Sequence, residues 1–190
     1  MSFISVVMAT YNGALHLREQ LDSLAAQSHP PDELVVGDDG SSDVTLSILE
    51  TFAKDAPFPV HVHRNTERLG YTHNFFKSLH RSRGEIVFLC DQDDVWHTNK
   101  IASVLRSMTR NPEAWYVTHD AAIVDENLTP SGRTTFGMCQ RRAQPLDDHV
   151  HGSASAFRRE LLSRTPELPE GFYGGRSSLH TCASAMGRTA

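Results

Sequence analysis

Residues 86–94 read IVFLCDQDD, an unbroken apolar run that passes directly into a cluster of carboxylates. Five consecutive apolar residues, 86–90, are typical of a strand buried on both faces in the middle of a parallel sheet. A helical pattern follows at 99–110, where apolar residues recur three and four positions apart on one face. The stretch therefore predicts a strand, a polar strand end and a returning helix.

The same alternation of a short apolar run and a helical pattern occurs repeatedly before residue 86. Strands are predicted at 3–9, 33–37 and 60–63, and helices at 14–27, at 70–80 and from 41 to before Pro57. After residue 110 the predicted elements are strands at 114–119 and 121–124, a loop or mobile lid at 129–150 and a short helix at 157–163. Alternating strands and helices predict an α/β fold with a parallel sheet.

Length, charge and cysteine spacing narrow the class of protein. The 190 residues are most simply one domain, and a net charge of −5 without a basic face argues against a nucleic-acid partner. No apolar stretch approaches the ~18 residues of a membrane span, and the N-terminus lacks the basic start of a signal peptide. Cys90, Cys139 and Cys182 form no CxxC pair, which favours a reducing, cytoplasmic location over disulfides or a zinc site.

Polar motifs directly follow all four strands predicted before residue 91. The first strand leads into Thr10-Tyr11-Asn12, the second into Asp38-Asp39, the third into Asn65 and the fourth into Asp91-Gln92-Asp93-Asp94. The carboxyl ends of parallel strands lie along one edge of an open sheet, where ligands bind. We therefore expect these motifs, far apart in sequence, to converge on one cleft.

The acidic run at 91–94 predicts a site for a hard divalent cation. Its three carboxylates, Asp91, Asp93 and Asp94, repel one another, and no basic residue adjoins them in the sequence. Oxygen ligands suit Mg²⁺ or Mn²⁺, which are typically held by one or two carboxylates together with substrate phosphates. The alternative is a solvated acidic turn in which Asp94 caps the residues that follow.

The segment DDGSSD at 38–43 predicts a contact with a nucleotide. Two adjacent carboxylates exceed what a helix cap requires, and an Asp at a strand end can accept hydrogen bonds from a nucleobase N–H or a ribose hydroxyl. Neither GxGxxG nor GxxxxGK[ST] occurs, which disfavours NAD enzymes and P-loop NTPases. Arg68 is either a diphosphate ligand or an exposed loop residue, Trp96 is favoured as a core or lid residue, and His119-Asp120 either lines the cleft or forms a turn.

Four ordered segments carry a resemblance to a known family. ISVVMATYNG (4–13), ELVVGDDGSSD (33–43), NTERLGYTHNF (65–75) and FLCDQDDVW (88–96) resemble the family-2 inverting glycosyltransferases of the GT-A fold, and HGSASAFRRELL (151–162) matches more loosely. The resemblance implies an α/β, Rossmann-like open mixed sheet, mostly parallel, with helices on both faces. It implies a single domain over 1–190, with a nucleotide-binding half at 1–110 and an incomplete acceptor-side half at 111–190.

The resemblance also implies an activity and roles for individual residues. It implies inverting transfer of a sugar from a nucleoside-diphosphate donor, with Mg²⁺ or Mn²⁺, to a glycan or lipid-linked acceptor, which allows peripheral association with a membrane. The DQDDVW form is similar to rhamnosyltransferases of bacterial surface polysaccharide synthesis, so dTDP-rhamnose is one candidate donor. The implied donor-binding residues are Thr10, Tyr11, Asn12, Asp38, Asp39, Arg68 and Asp91, and the implied metal ligands are Asp91, Asp93 and Asp94.

The segment after residue 163 departs from the family pattern. The family's general base is an Asp in a His-Asp-x-Trp or Glu-Asp-like motif, whereas Phe172-Tyr173 here lead into GGRSSLH and no carboxylate follows Glu170. The base is left unknown, with Asp120, Asp125 and Glu170 as candidates, and a truncated chain with a poorly ordered tail at 174–190 is expected. Two other functions stay open: a non-catalytic nucleotide-sugar-binding remnant and, disfavoured by the lack of Lys and Arg at 8–16, a sugar-phosphate nucleotidyltransferase.

Overall fold

The structure is a computed structural model that describes residues 2–141 and 152–164. Its strands are β1 (Ile4–Thr10), β2 (Glu33–Asp38), β3 (Val60–Arg64), β4 (Ile86–Cys90), β5 (Tyr116–Thr118), β6 (Ala122–Val124), β7 (Pro130–Thr134) and β8 (Ser155–Arg158). Its helices are α1 (Leu17–Ala25), α2 (Thr45–Asp55), α3 (Tyr71–Arg81), α4 (Lys100–Arg110), α5 (Thr135–Arg141) and α6 (Glu160–Arg164), and a 3₁₀ turn at Gly152–Ala154 precedes β8. The elements predicted before residue 111 are confirmed, with boundaries that differ by a few residues.

Six strands form one sheet in the order β3-β2-β1-β4-β8-β5, and β6 and β7 form a separate two-stranded sheet. The strands β3, β2, β1 and β4 are parallel, whereas β8 runs antiparallel to both of its neighbours. Thr10 of β1 lies opposite Asp38 of β2, which lies opposite Arg64 of β3. The mixed, mostly parallel sheet is confirmed, and its parallel strands end along one edge.

Helices cover both faces of this sheet. Val6 and Met8 belong to a buried cluster shared with α1, α2 and α4, whereas Val7 and Ala9 belong to a second cluster with α3 and α6. All seven residues of β1 and all five of β4 are buried. Because each fully buried Val or Leu side chain contributes about 1.5–3 kcal/mol, the central strands give the loops at their ends fixed starting points.

Residues 130–141 correct the loop or lid predicted at 129–150. They form β7, which pairs antiparallel with β6, and the helix α5. The strand β7 is exposed along almost its whole length, so its polar sequence has no apolar alternation to reveal it. The start of α5 is held from a distance, since Phe136 N donates to Asp120 Oδ1 at 2.9 Å. Residues 142–150 lie outside the described ranges.

Residues 155–164 correct the helix predicted at 157–163. The strand β8 lies between β4 and β5, and α6 begins only after it, at Glu160. Phe157 and Leu161 are four positions apart, as on one face of a helix, but Phe157 is a fully buried strand residue. The antiparallel pairing on both sides of β8 outweighs the local periodicity.

Two further observations concern the described residues alone. No helix there is both long enough and apolar enough to cross a membrane. Cys90 and Cys139 are buried free thiols. Glu170, Cys182 and the tail at 174–190 lie outside the described residues.

Candidate functional site

The loops after β1 and β2 are hydrogen-bonded into one unit. Asn12 has a left-handed φ of 48°, a conformation that Asn tolerates better than most residues. Its main-chain N donates to Ser41 Oγ at 2.9 Å, and its side-chain Oδ1 accepts from Ser42 N at 2.8 Å. Gly13 N donates to Thr45 Oγ1 at 2.9 Å. Asn12 therefore has an architectural role at the strand ends.

Gln92 joins the loop after β1 to the acidic run after β4. Its Oε1 accepts from Tyr11 N at 2.9 Å, and its Nε2 donates to Tyr11 O at 3.3 Å. A Cβ on Gly13 would lie 2.3 Å from Gln92 Oε1, so the approach requires glycine there. In the sequence Gln92 is only the residue between two aspartates, and nothing local reveals a partner 81 positions away.

Asp38 is fully buried and its carboxylate is occupied by the protein itself. Oδ2 accepts from Thr10 Oγ1 at 3.0 Å and from the hydroxyl of Ser41. Oδ1 accepts from Ser41 N at 2.9 Å and Gly40 N at 3.2 Å. Thr10 is buried too, so this pair stabilises the strand end, and a contact of either residue with a base or ribose stays a prediction.

Asp39 fixes the loop between β3 and α3. Its Oδ1 accepts from Leu69 N at 2.8 Å and Asn65 Nδ2 at 3.1 Å, and its Oδ2 accepts from Gly70 N at 2.8 Å. Asn65 Oδ1 is buried and has no partner among the described residues. The loop that Asp39 holds carries Arg68 to the cleft.

Arg68 and Tyr11 form an exposed pair at the edge of the sheet. The Arg68 guanidinium carbon lies 4.0 Å from the centroid of the Tyr11 ring, a cation–π arrangement. Tyr11 lies in the loop after β1, and Arg68 lies in the loop that Asp39 holds. An aromatic face and a positive charge are thus presented together, while contacts of these residues with a base and a diphosphate stay predictions.

The acidic run presents Asp91 and Asp94 partly buried and Asp93 exposed. Asp91 Oδ1 accepts from Tyr71 OH at 2.9 Å, and the Ser153 side chain also hydrogen-bonds to Asp91. Burial raises the pKa of Asp91, the Tyr71 hydrogen bond lowers it in part, and repulsion from Asp94 and Asp93 raises it further. A nearby cation would relieve both unfavourable effects.

The donor set of this run fits a hard cation. It consists of carboxylate oxygens, the ligands that Mg²⁺ and Mn²⁺ prefer. Within residues 2–141 and 152–164, no three His, Cys, Asp or Glu side chains converge into a group that could hold a metal ion by itself. Mg²⁺ is usually bound by one or two carboxylates together with substrate phosphates, so a cation here would depend on the substrate for its other ligands.

Lys100 is a cationic neighbour that the sequence prediction missed. Its Nζ lies 3.6 Å from the centroid of the Trp96 ring and donates to Ser153 O at 2.7 Å. Burial lowers the pKa of Lys100 to about 8, while Cys90, Asp94 and Asp91 raise it in part. The acidic run is therefore accompanied in space by a positive charge that comes from the start of α4. Trp96 itself is buried in the core, as predicted.

His119 lies beside this group. Its main-chain N donates to Ala154 O at 3.0 Å, next to the turn that carries Ser153. Burial, followed by the charge of Lys100, lowers the pKa of His119 to about 4, so the ring is neutral near pH 7. Nδ1 lies 2.9 Å from Asp120 O and must carry the proton, because a carbonyl can only accept. Nε2 is then a buried acceptor without a partner among the described residues.

The two candidate bases within the described residues have architectural contacts. Asp120 Oδ1 accepts from Ala121 N, Thr135 Oγ1 and Phe136 N, each at 2.9 Å. Asp125 Oδ1 accepts from Asn127 N and Thr129 N, each at 2.9 Å, in the turn between β6 and β7. Burial tends to raise the pKa of Asp120, but its hydrogen bonds lower that pKa overall, and the bonds from Thr129 and Asn127 lower the pKa of Asp125. Both carboxylates are thereby weakened as proton acceptors near pH 7.

Comparison with known proteins agrees with this arrangement of strand-end motifs. Residues 5–165 match the sequence profile described as Glycosyl transferase family 2. The chain belongs to this family. It is 30% identical over 130 residues to the dTDP-rhamnosyl transferase RfbG of Shigella flexneri. It is 26% identical over 162 residues to TuaG of Bacillus subtilis (strain 168), a glycosyltransferase assigned to teichuronic acid biosynthesis.

Its fold also resembles that of a solved mannosyltransferase. The mannosyltransferase PcManGT from Pyrobaculum calidifontis, determined in complex with GDP-Man and Mn²⁺, is similar with a TM-score of 0.79 and 26% identity. The GT-A fold expected from the sequence is confirmed by this likeness. The matches cover 99% of the chain against PcManGT, 85% against TuaG and 66% against RfbG. The chain spans 54%, 58% and 43% of the lengths of those proteins.

Proposed function

We propose that this chain binds a nucleoside-diphosphate sugar together with Mg²⁺ or Mn²⁺ and transfers the sugar, with inversion, to a glycan or lipid-linked acceptor. The observation that carries the proposal is the Gln92 bridge, which joins the Tyr11–Arg68 pair to the acidic run. It sets an aromatic face, a guanidinium and a carboxylate cluster side by side along one sheet edge. A nucleoside diphosphate offers a base, two phosphates and a bound cation in the same linear order.

Each group of this edge has a task in the proposed reaction. The Tyr11 ring stacks on the base, and Asn65 Oδ1, which has no partner among the described residues, offers an acceptor to a base or ribose donor. Arg68 pairs with the diphosphate, and one or two of Asp91, Asp93 and Asp94 hold the cation together with the phosphates. A bound cation supplies Lewis-acid stabilisation of the charge on the departing nucleoside diphosphate. The protein's own part is to fix the donor so that the anomeric carbon faces the acceptor side.

The donor sugar is proposed from the named relatives. The likeness to RfbG supports dTDP-rhamnose, and the likeness to TuaG supports a role in bacterial surface polysaccharide synthesis. GDP-mannose is the competing donor, because PcManGT was solved with GDP-Man. We also propose a cytoplasmic location, which the free thiols of Cys90 and Cys139 support.

Binding without turnover is a second candidate function. It is favoured by the saturated carboxylates of Asp120 and Asp125, whose lowered pKa values suit neither to deprotonate an acceptor hydroxyl. General-base assistance typically contributes about 10²–10⁴-fold to a rate. A chain without such a base would keep donor binding and lose most of its transfer rate.

The decisive test is a binding panel run on the full chain. Thermal shift and calorimetry with UDP, GDP and dTDP, each with Mn²⁺ or with EDTA, should identify one nucleotide whose binding tightens with Mn²⁺. Transfer or hydrolysis of the matching sugar nucleotide then separates an active enzyme from a binding protein. Absence of stabilisation by all three nucleotides, with or without Mn²⁺, would overturn the proposed function.

A further inference from the structure

Lys100 places an ammonium group within electrostatic reach of Asp94 and Asp91, and the proposed reaction assigns it no task. Its Nζ lies against the face of Trp96, 3.6 Å from the ring centroid, and donates to Ser153 O at 2.7 Å. Burying an ammonium group is unfavourable unless its charge is compensated. The ring face and the carbonyl supply part of that compensation.

Ser153 connects this ammonium to the proposed cation ligands. Its side chain hydrogen-bonds to Asp91, and its main-chain carbonyl accepts from Lys100. One residue therefore brings Lys100 and Asp91 into the same neighbourhood. Within the described residues, no direct ion pair joins Lys100 to Asp91 or Asp94, since the contacts closer than 4 Å involve other pairs. The Lys100 charge therefore acts on these carboxylates through space and not through an ion pair.

A fixed positive charge at this place has opposite effects on the two proposed ligands. It repels a divalent cation that approaches the carboxylates, and it attracts a diphosphate. The effect is strong because the group lies in a partly buried region, where the effective dielectric constant is far below that of water.

We propose that Lys100 opposes cation binding and favours diphosphate binding at the acidic run, so that the cation enters together with the diphosphate. This inference rests on the proposed function, since it concerns the regulation of that same site. Without Lys100 the carboxylates would hold a cation before any nucleotide arrives. With Lys100 present, the site without a nucleotide binds the cation more weakly. The negative charge of a bound diphosphate then restores the affinity for the cation.

The test measures each ligand alone on Lys100→Gln, which keeps a donor for Ser153 O but removes the charge. Free Mn²⁺ is followed by electron paramagnetic resonance at pH 7.0, and UDP, GDP and dTDP are titrated calorimetrically in EDTA. We expect Mn²⁺ alone to bind on the order of tenfold tighter than to the unsubstituted chain, and the nucleotide alone to bind severalfold weaker. Damage to the fold would weaken both, so the opposite signs identify an effect of charge.

Two further variants keep the test decisive. Lys100→Met supplies a second neutral side chain that is suited to the Trp96 face, and Lys100→Arg retains the charge and should stay within about twofold of the parent for both ligands. Unchanged affinities, or affinities that both fall, in folded neutral variants would overturn the inference while leaving the proposed function intact. Failure of the unsubstituted chain to bind Mn²⁺ with any of the three nucleotides would instead overturn the proposed function, and the inference with it.

Discussion

Replacing Asp39 with alanine should lower the free energy of unfolding by about 2–4 kcal/mol. Asp39 is 3% exposed and accepts three N–H groups, from Leu69, Gly70 and Asn65. Hydrogen bonds to a charged acceptor contribute about 1.5–3 kcal/mol each, so their simple sum exceeds the expected loss. The difference arises because the two main-chain N–H groups lie in a partly exposed loop and can turn to water, whereas Asn65 is buried.

The assay is urea unfolding at pH 7 followed by circular dichroism, with a thermal melt as a second measure. A domain of this size loses about 2–4 °C in Tm per kcal/mol, so a drop of about 4–16 °C is expected. Asp55→Ala is the matched control, since Asp55 is exposed at the end of α2, and its effect should stay within about 0.5 kcal/mol. A loss for Asp39→Ala no larger than that of the control would refute the role of Asp39 in holding the loop.

The same variant tests the nucleotide contact. Asp39→Ala frees the loop that holds Arg68 over Tyr11, so nucleotide affinity should fall by about 1–3 kcal/mol with Mn²⁺ and with EDTA alike. A loss confined to the titrations that contain Mn²⁺ would assign Asp39 to the cation rather than to the base and ribose.

Three further predictions concern the acidic run, the Gln92 bridge and a carboxylate at the opposite edge of the sheet. Asp93→Asn should remove the Mn²⁺-dependent part of nucleotide binding at unchanged Tm, because Asp93 is exposed, whereas Asp55→Asn should change neither quantity. Gly13→Ala should displace Gln92 and weaken nucleotide binding severalfold in calorimetry, since the new Cβ would lie 2.3 Å from Gln92 Oε1; an unaltered affinity would contradict the bridge. Burial tends to raise the pKa of Glu33, but hydrogen bonds, two of them from Arg83, lower it overall. Because the folded pKa lies below the unfolded one, Glu33 stabilises the fold at neutral pH, and this contribution should disappear as the pH falls below about 4; Glu33→Gln should flatten that limb of a urea-stability profile measured from pH 7 to pH 3.

Local pattern was sufficient for the parallel half of the sheet and insufficient for contacts made across it. Residues 4–9 and 86–90 are buried on both faces of the sheet, so apolar continuity alone reveals these strands. Gln92, by contrast, meets Tyr11 from 81 positions away, and Lys100 reaches Ser153 from 53 positions away. Such pairs follow from the strand order, and no periodicity within either segment encodes them.

Some features of the candidate site could likewise be predicted from the sequence, and others could not. The rule for parallel sheets predicts that the polar strand ends share one edge, and the register of β1 and β2 confirms this prediction. The turn after Asp38 is local, but the further contact of Asp38 with Thr10 could not be deduced, because Thr10 reaches Asp38 only once β1 and β2 are paired. The sequence shows which groups are present at the edge, while the register decides which of them remain available to a ligand.

The late position of β8 in the chain has a consequence for biosynthesis. In the described sheet β8 separates β4 from β5, so the apolar edge of β4 stays unpaired until residues 155–158 have been synthesised. At translation rates of about 5–20 residues per second, that edge stays unpaired for roughly 3–14 s between the addition of Cys90 and the completion of β8. An open apolar strand edge is a template for wrong pairing with other nascent chains. Substitutions in β8 should therefore reduce the yield of soluble protein in cells by more than the stability of the purified, folded chain would suggest.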